Sequence, residues 1–150
     1  MGRRVKKLEQ PVVIRLSCYG NFPVLLFNDA DVFLQYVESH NMVDDLLEGF
    51  HLEQNVHNAE GLFGALKHET QEGDNHGTVL DEEYVYYILI NKPTIEVVSH
   101  EVCHLVINIF TSLGMEVNVH TQEAFCYAQD HLLSVVCDKL GITKFSPVKY

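Results

Sequence analysis

The chain has 150 residues, of which 47% are hydrophobic and 21% charged, and this balance fits one globular domain with its own core. The formal net charge of −11 weighs against general nucleic-acid binding, which depends on neutralising phosphates with Lys and Arg. No apolar stretch reaches the roughly 18 residues needed to cross a bilayer, and no secretory h-region follows the basic start. We therefore expect a single cytoplasmic domain over residues 1–150, with a flexible basic segment at 1–10 and neither nucleic-acid nor membrane partners.

The cysteines do not indicate a disulfide framework. Cys18, Cys103, Cys126 and Cys137 show no CxxC spacing, and the last three lie inside apolar helical patterns. They are predicted to be buried free thiols in a reducing compartment.

The N-terminal third predicts a β-hairpin and then a helix. Residues 11–18 and 22–27 are β-rich and are separated by the turn residues 19–21. A helix is expected to run to about His40, and a weaker second helix over 43–50. Three residues offer side chains for the N-cap of the first helix: Asn28, Asp29 and Asp31.

The middle of the chain predicts two strands joined by an exposed connection. Residues 51–60 have no clear period and are expected to form a loop, whereas 61–68 predict a strand that contains two glycines. The turn-rich residues 69–78 are expected to be exposed. The apolar run Tyr84–Ile90 is the strongest strand signal and predicts a central strand buried on both faces.

Two long helices are predicted at the C-terminal end. Pro93 and the cap candidate Thr94 favour a helix start, and Gly114 is placed to end that helix after about Leu113. A last helix is expected from about Thr121 to Leu140, closed by Gly141 and followed by a short cover strand or loose end. The order of the elements predicts an α+β fold.

The run HEVCH carries the clearest chemical signal. His100 and His104 are four residues apart on the first of these helices, so both imidazoles lie on one face and can reach one metal ion. Zinc suits such ligands, and Glu101 is placed to act as general base toward a zinc-bound water. Because the helix is otherwise apolar, we expect the histidines to lie in a dry, packed wall. The alternative is two ordinary histidines on a buried helix.

A third protein ligand is expected from the last helix. Eighteen residues separate His104 from Glu123, and two antiparallel helices would bring that carboxylate back toward the pair. Glu123 could instead be a first-turn glutamate favoured by the helix dipole. His120 is the rival ligand.

These residues resemble known zinc hydrolases. HExxH, eighteen residues and then Glu is similar to the gluzincin metallopeptidases, and QEAFCY resembles a segment of small zincin-like proteins encoded by bacteriophages and prophages. The resemblance implies zinc on His100, His104 and Glu123, with Glu101 as base. It further implies a minimal zincin-like domain, in which a small twisted sheet carries the HExxH helix packed against a C-terminal helix.

Two features of the last helix stay open within this resemblance. Tyr127 could hydrogen-bond a ligand or the oxyanion of the intermediate, or it could be a packed core tyrosine. A weaker resemblance to SprT-like proteases makes His120 the third ligand instead of Glu123.

The sequence therefore predicts a zinc-dependent peptidase that cleaves a protein or peptide substrate in an endopeptidase-like manner. The main alternative is a catalytically weak or inactive zinc-binding phage protein that uses its acidic surface to inhibit a host factor in the host cytoplasm. A zinc-dependent nuclease is the third reading, and the acidic charge counts against it.

Overall fold

The computed structural model describes residues 5–16, 22–44, 56–68 and 85–142. Within these ranges one mixed five-stranded sheet is combined with three helices, which confirms the α+β class. The elements are β1 Val12–Leu16, β2 Phe22–Phe27, α1 Ala30–Ser39, β3 Met42–Asp44, β4 Gly61–His68, β5 Val85–Ile90, α2 Ile95–Ser112 and α3 Gln122–Leu140.

The strands lie in the order β1-β2-β5-β4-β3. β5 occupies the centre, parallel to β2 and antiparallel to β4, and its residues 87–90 are fully buried. The predicted hairpin is confirmed by the antiparallel pairing of β1 with β2. The prediction of a central strand buried on both faces is therefore also confirmed.

Helices cover both faces of the sheet. Because successive side chains of a strand point to opposite faces, Leu26 and Ile88 pack with α2 and α3 on one side. Leu25 and Leu89 pack with α1 on the other. α2 contacts β4 and β5, whereas α3 contacts β1. The HEVCH helix thus lies over the β4 side of the sheet.

The residues that cap the N-termini of α1 and α2 are among those expected from the sequence. Asp29 Oδ1 accepts from the backbone N–H groups of Asp31 and Val32 at the start of α1, and the Val32 bond is the main cause that lowers the pKa of Asp29. Thr94 Oγ1 accepts from the N–H of Val97 at the start of α2. These side chains satisfy backbone donors that the first helical turn leaves free.

Glycines close the two long helices, as expected. Gly114 follows α2 and Gly141 follows α3, each at φ 71°, a left-handed conformation that glycine adopts at little cost. Thr121 precedes α3 but makes no side-chain cap there. Its Oγ1 accepts instead from the N–H of Asn118 in the connection before the helix.

One expectation for the chain outside these elements is corrected. The predicted helix over 43–50 is wrong where it can be compared, because Val43 and Asp44 belong to β3. In the segment expected to be flexible, Lys6 N–H donates to the Leu140 carbonyl at 3.2 Å, and Leu8 N–H donates to Asn28 Oδ1 at 2.7 Å. The predictions for residues 1–4, 17–21, 45–55, 69–84 and 143–150 lie outside the described residues.

The cysteines differ in burial. Cys137 is buried as expected, but Cys103 is intermediate and Cys126 is exposed, so the prediction of burial is wrong for Cys126. All three are free thiols, and Cys18 lies outside the described residues. No helix in the described part of the chain is both long and apolar enough to cross a membrane.

Gly64 of β4 leaves room for a side-chain contact between β3 and β5. The buried Tyr87 hydroxyl donates to Asp44 Oδ2, and burial followed by the Asp44 charge raises the pKa of Tyr87. A Cβ on residue 64 would lie 2.5 Å from Asp44 Oδ2 and 2.6 Å from Tyr87 Cε1. There is no room for a methyl group at this position.

Replacing Gly64 with Ala is therefore expected to lower the free energy of unfolding by about 1–3 kcal/mol, the usual cost of overpacking a core. Urea unfolding followed by circular dichroism measures it. Gly114→Asn is the comparison variant: nothing lies within 4 Å of a Cβ there, so only the positive φ opposes the change, and Asn adopts that conformation at a smaller cost than most residues. Equal stability of Gly64→Ala and the unchanged chain would contradict the tight packing.

Candidate functional site

α2 presents His100 and His104 on one exposed face, one turn apart. Their Nε2 atoms are 3.2 Å apart, and the ring planes are inclined at 80°. The predicted sharing of one helix face is confirmed. The expectation of a dry, packed wall is wrong, because both histidines are exposed while Val98, Val102, Leu105 and Val106 take the buried face.

β4 runs beside this histidine pair. The ring of Phe63 stacks on the ring of His104, with centroids 6.2 Å apart and planes inclined at 15°. Phe63 is itself half-buried and also stacks on Tyr86 of β5. One imidazole of the pair therefore packs against the sheet.

Glu101 lies on the neighbouring side of α2 and is only 6% exposed. It faces β4 at Gly61, where an added Cβ would come within 2.9 Å of Glu101 Cγ and 3.1 Å of its Oε1. Burial raises the pKa of this carboxyl, and the nearby His100 acts in the opposite direction. Such an environment favours a group that exchanges protons rather than a permanently ionised one.

A groove opens where the start of α2 meets the loop before β4. Its volume is about 420 Å³. His100 and Glu101 both line it, so the histidine and the buried carboxyl share one solvent-accessible space. The lining residues are Ala59, Glu60, Gly61, Glu96, Val97, His100 and Glu101.

The distance between the two histidine nitrogens fits a shared zinc ion. Zinc binds imidazole nitrogen at about 2.0–2.1 Å in a tetrahedral shell, which separates two ligand nitrogens by about 3.3 Å. The same distance also suits an N–H···N hydrogen bond between two neutral rings. Among the described residues, no set of three His, Cys, Asp or Glu side chains is grouped closely enough to hold a metal. The described residues thus bring two candidate ligands together and not a third.

The predicted third ligand does not come together with the pair. α3 runs antiparallel to α2: Gln129 Nε2 donates to the Ser99 carbonyl at 3.1 Å, and the rings of Phe125 and Phe110 lie 5.8 Å apart. Glu123 precedes Phe125 by two residues and is exposed. Among the described residues it is not grouped with the histidine pair closely enough to share a metal.

Tyr127 and His120 are likewise at the surface. Tyr127 is 71% exposed, so the packed-core alternative for this residue is wrong. His120 lies in the connection before α3, where its backbone N–H donates to Asn118 Oδ1 at 2.8 Å, and its side chain is exposed. The structure brings His100, Glu101 and His104 together on α2 and places Glu123, Tyr127 and His120 at the surface of α3 and of the connection before it.

Sequence reasoning missed the contribution of β4 and its preceding loop. Gly61 and Phe63 contact the motif directly, and Glu60 lines the groove. The available signal was the glycine itself, since a glycine inside a strand often marks a close approach of another group. Its partner could not be named, because Gly61 and Glu101 are forty residues apart in the sequence.

Comparison of the chain with protein-family models, curated proteins and solved structures gave no match.

Proposed function

We propose that this chain is a zinc-dependent peptidase with a minimal zincin-like domain. The observation that carries the proposal is the histidine pair, with Nε2 atoms 3.2 Å apart, beside Glu101, a residue that is only 6% exposed. This combination supplies two zinc ligands and a base within a single helical turn and a half.

Each residue has a distinct role in this proposal. His100 and His104 would hold the zinc, and Phe63 stacks on the ring of His104. A zinc ion held there would supply activation of water for attack on an amide. Glu101 accepts a proton from the attacking water and returns it to the leaving amine. Its raised pKa suits a group that must hold a proton between these two steps.

The edge of β4 supports a peptide as the substrate. β3 pairs only with Leu66, Lys67 and His68. Along residues 61–65 no strand of the described ranges pairs with the outer edge of β4, and this stretch lies against α2 at Gly61 and Phe63. An extended peptide can add to such an edge through backbone hydrogen bonds, which would lay its amide bonds beside the histidines.

Glu123 as third ligand and Tyr127 as oxyanion donor stay predictions. Both are exposed on α3, and no described residue takes their place at the pair. This last observation favours one second candidate, a zinc-binding or metal-free interaction protein without catalysis, which would use the acidic surface implied by the net charge of −11.

Peptide cleavage by the zinc-loaded chain separates the two candidates. The protein is incubated with a proteome-derived peptide mixture, and new peptide termini are identified by mass spectrometry. We expect cleavage that is lost after chelation and returns when zinc is restored. Absence of new termini with stoichiometric zinc bound would reject the peptidase and favour the interaction protein.

A further inference from the structure

The groove beside the histidine pair is acidic. Three of its seven lining residues are glutamates, Glu60, Glu96 and Glu101. Lys92 lies next to it, with its Nζ 3.2 Å from Glu60 Oε1, and both of these side chains are more than half exposed. Lys92 offsets one carboxylate at the rim. Among the described residues Glu96 and Glu101 form no salt bridge with Lys or Arg, and His100 is the basic group that lines the groove with them.

Glu101 is the unusual member of this set. It is 6% exposed and lines the groove, yet no group of the described residues donates a hydrogen bond to its carboxyl. Its oxygens are not among the buried polar atoms without a partner in the described residues, so they reach the solvent of the groove. A ligand that brings a donor into the groove would replace that water.

Gly61 keeps this carboxyl accessible from the groove. A side chain at this position would come within 2.9 Å of Glu101 Cγ and 2.7 Å of Val97 Cγ1. The wall of the groove is therefore bare backbone at the point where Glu101 approaches it. Glu96 lies five residues before Glu101 on α2. It is exposed and lines the same groove.

The spacing of the acidic groups favours an organic cation over a metal ion. No three His, Cys, Asp or Glu side chains in the described part of the chain are close enough to share one metal. A guanidinium or ammonium group on a long side chain can instead meet separate carboxylates, and guanidinium offers five N–H donors.

We propose that the groove lined by Glu96, Glu101 and Gly61 is a specificity subsite that takes an arginine or lysine side chain of the peptide, with Glu96 as its main charge partner and one oxygen of Glu101 as a further acceptor, which leaves the other oxygen of Glu101 for the attacking water. The inference rests on the proposed function, because the bound side chain belongs to a peptide held beside the histidine pair. It adds a substrate class, namely peptides in which a basic residue neighbours the amide bond that lies beside His100 and His104.

Binding of two matched peptides tests the subsite without any need for catalysis. A fluorescein-labelled alanine-rich pentapeptide carries either arginine or its neutral isostere citrulline, and fluorescence anisotropy gives Kd for the full chain in the presence of a chelator. We expect arginine to bind about fivefold more tightly than citrulline, since each partly exposed charge pair contributes a small factor. The ratio should fall to about twofold in Glu96→Gln and should also fall in Glu101→Gln.

Glu116→Gln is the control for the overall negative charge. Glu116 is exposed in the connection between α2 and α3, and its replacement removes the same charge away from the groove. The arginine preference should persist in this variant. Equal Kd values for arginine and citrulline in the unchanged chain, or the same loss of preference in Glu116→Gln as in Glu96→Gln, would overturn the subsite.

Cleavage of the same two peptides by the zinc-loaded chain separates this inference from the proposed function. A charge preference in binding without cleavage of either peptide supports the subsite and counts against the peptidase. Cleavage of both peptides at one rate, with one Kd, supports the peptidase and overturns the subsite.

Discussion

Replacement of His104 by alanine is expected to abolish stoichiometric zinc binding. The unchanged chain should bind one zinc, because Nε2 of His100 and Nε2 of His104 are separated by the distance of two ligands in one tetrahedral shell. Changes beside a ligand already weaken metal affinity about 10–100-fold. Loss of a ligand itself should weaken it by about 100-fold or more, and His100→Ala should behave in the same way.

Zinc content after dialysis, with a competitive chelator titration for the affinity, measures this effect. His131→Ala is the control, since His131 is also exposed but lies on α3. Thermal unfolding of each variant shows whether the loss of the Phe63 contact has disturbed the fold. Full zinc content in His104→Ala with a native melting transition would remove the basis of the metal centre.

The same measurement decides the third ligand. The prediction from the sequence requires Glu123→Ala to lose zinc as fully as His100→Ala, whereas His120→Ala should retain it. Among the described residues Glu123 is exposed and is not grouped with the histidine pair. The Glu123 variant therefore tests the assignment of the third ligand most directly. Retention of zinc in Glu123→Ala with loss in His120→Ala would exchange the two assignments.

Local features of the sequence were enough to predict most elements. Asp29, Thr94, Gly114 and Gly141 act at helix ends through bonds or dihedral angles that span only a few residues, and such signals can be found in the sequence alone. The central place of β5 followed from its continuous apolar run. The HEVCH spacing likewise fixed the shared helix face, because four residues make about one turn.

The outer parts of the site depend on how one helix is rotated against its neighbours. α3 turns Ala128 and Leu132 into the core and packs Phe125 against α2. Since Glu123 and Tyr127 are offset from these residues around the helix, core packing directs them to solvent. The sequence predicted the antiparallel pair of helices, but the energetics of burying the apolar stripe determined which side chains α2 meets.

Contacts between residues that are distant in the sequence account for the parts of the site that the sequence did not predict. Gly61 and Phe63 reach the motif because β4 lies between β5 and β3 in the sheet, and strand order is not encoded by either strand alone. The exposure of the histidines has the same origin. α2 is apolar on the side that covers β4 and β5, and only the packed sheet shows that His100 and His104 lie outside that contact.

Glu101→Gln is expected to remove peptide cleavage while leaving zinc bound. Glutamine keeps the shape of the side chain against Gly61, where the fit is close, but it cannot accept and return a proton. General base catalysis contributes about 10²–10⁴-fold, so kcat should fall by that factor. His100 and His104 are unchanged, and the zinc content should therefore equal that of the parent chain.

Cleavage rate and zinc content must be measured on the same preparation, because only their separation identifies a base. Glu116→Gln serves as the matched control, since it changes an exposed glutamate outside the groove. A parallel loss of zinc in Glu101→Gln would assign Glu101 to holding the metal site together. Full activity with full zinc would show that a different group accepts the proton, and the buried carboxyl facing Gly61 would then serve the groove alone.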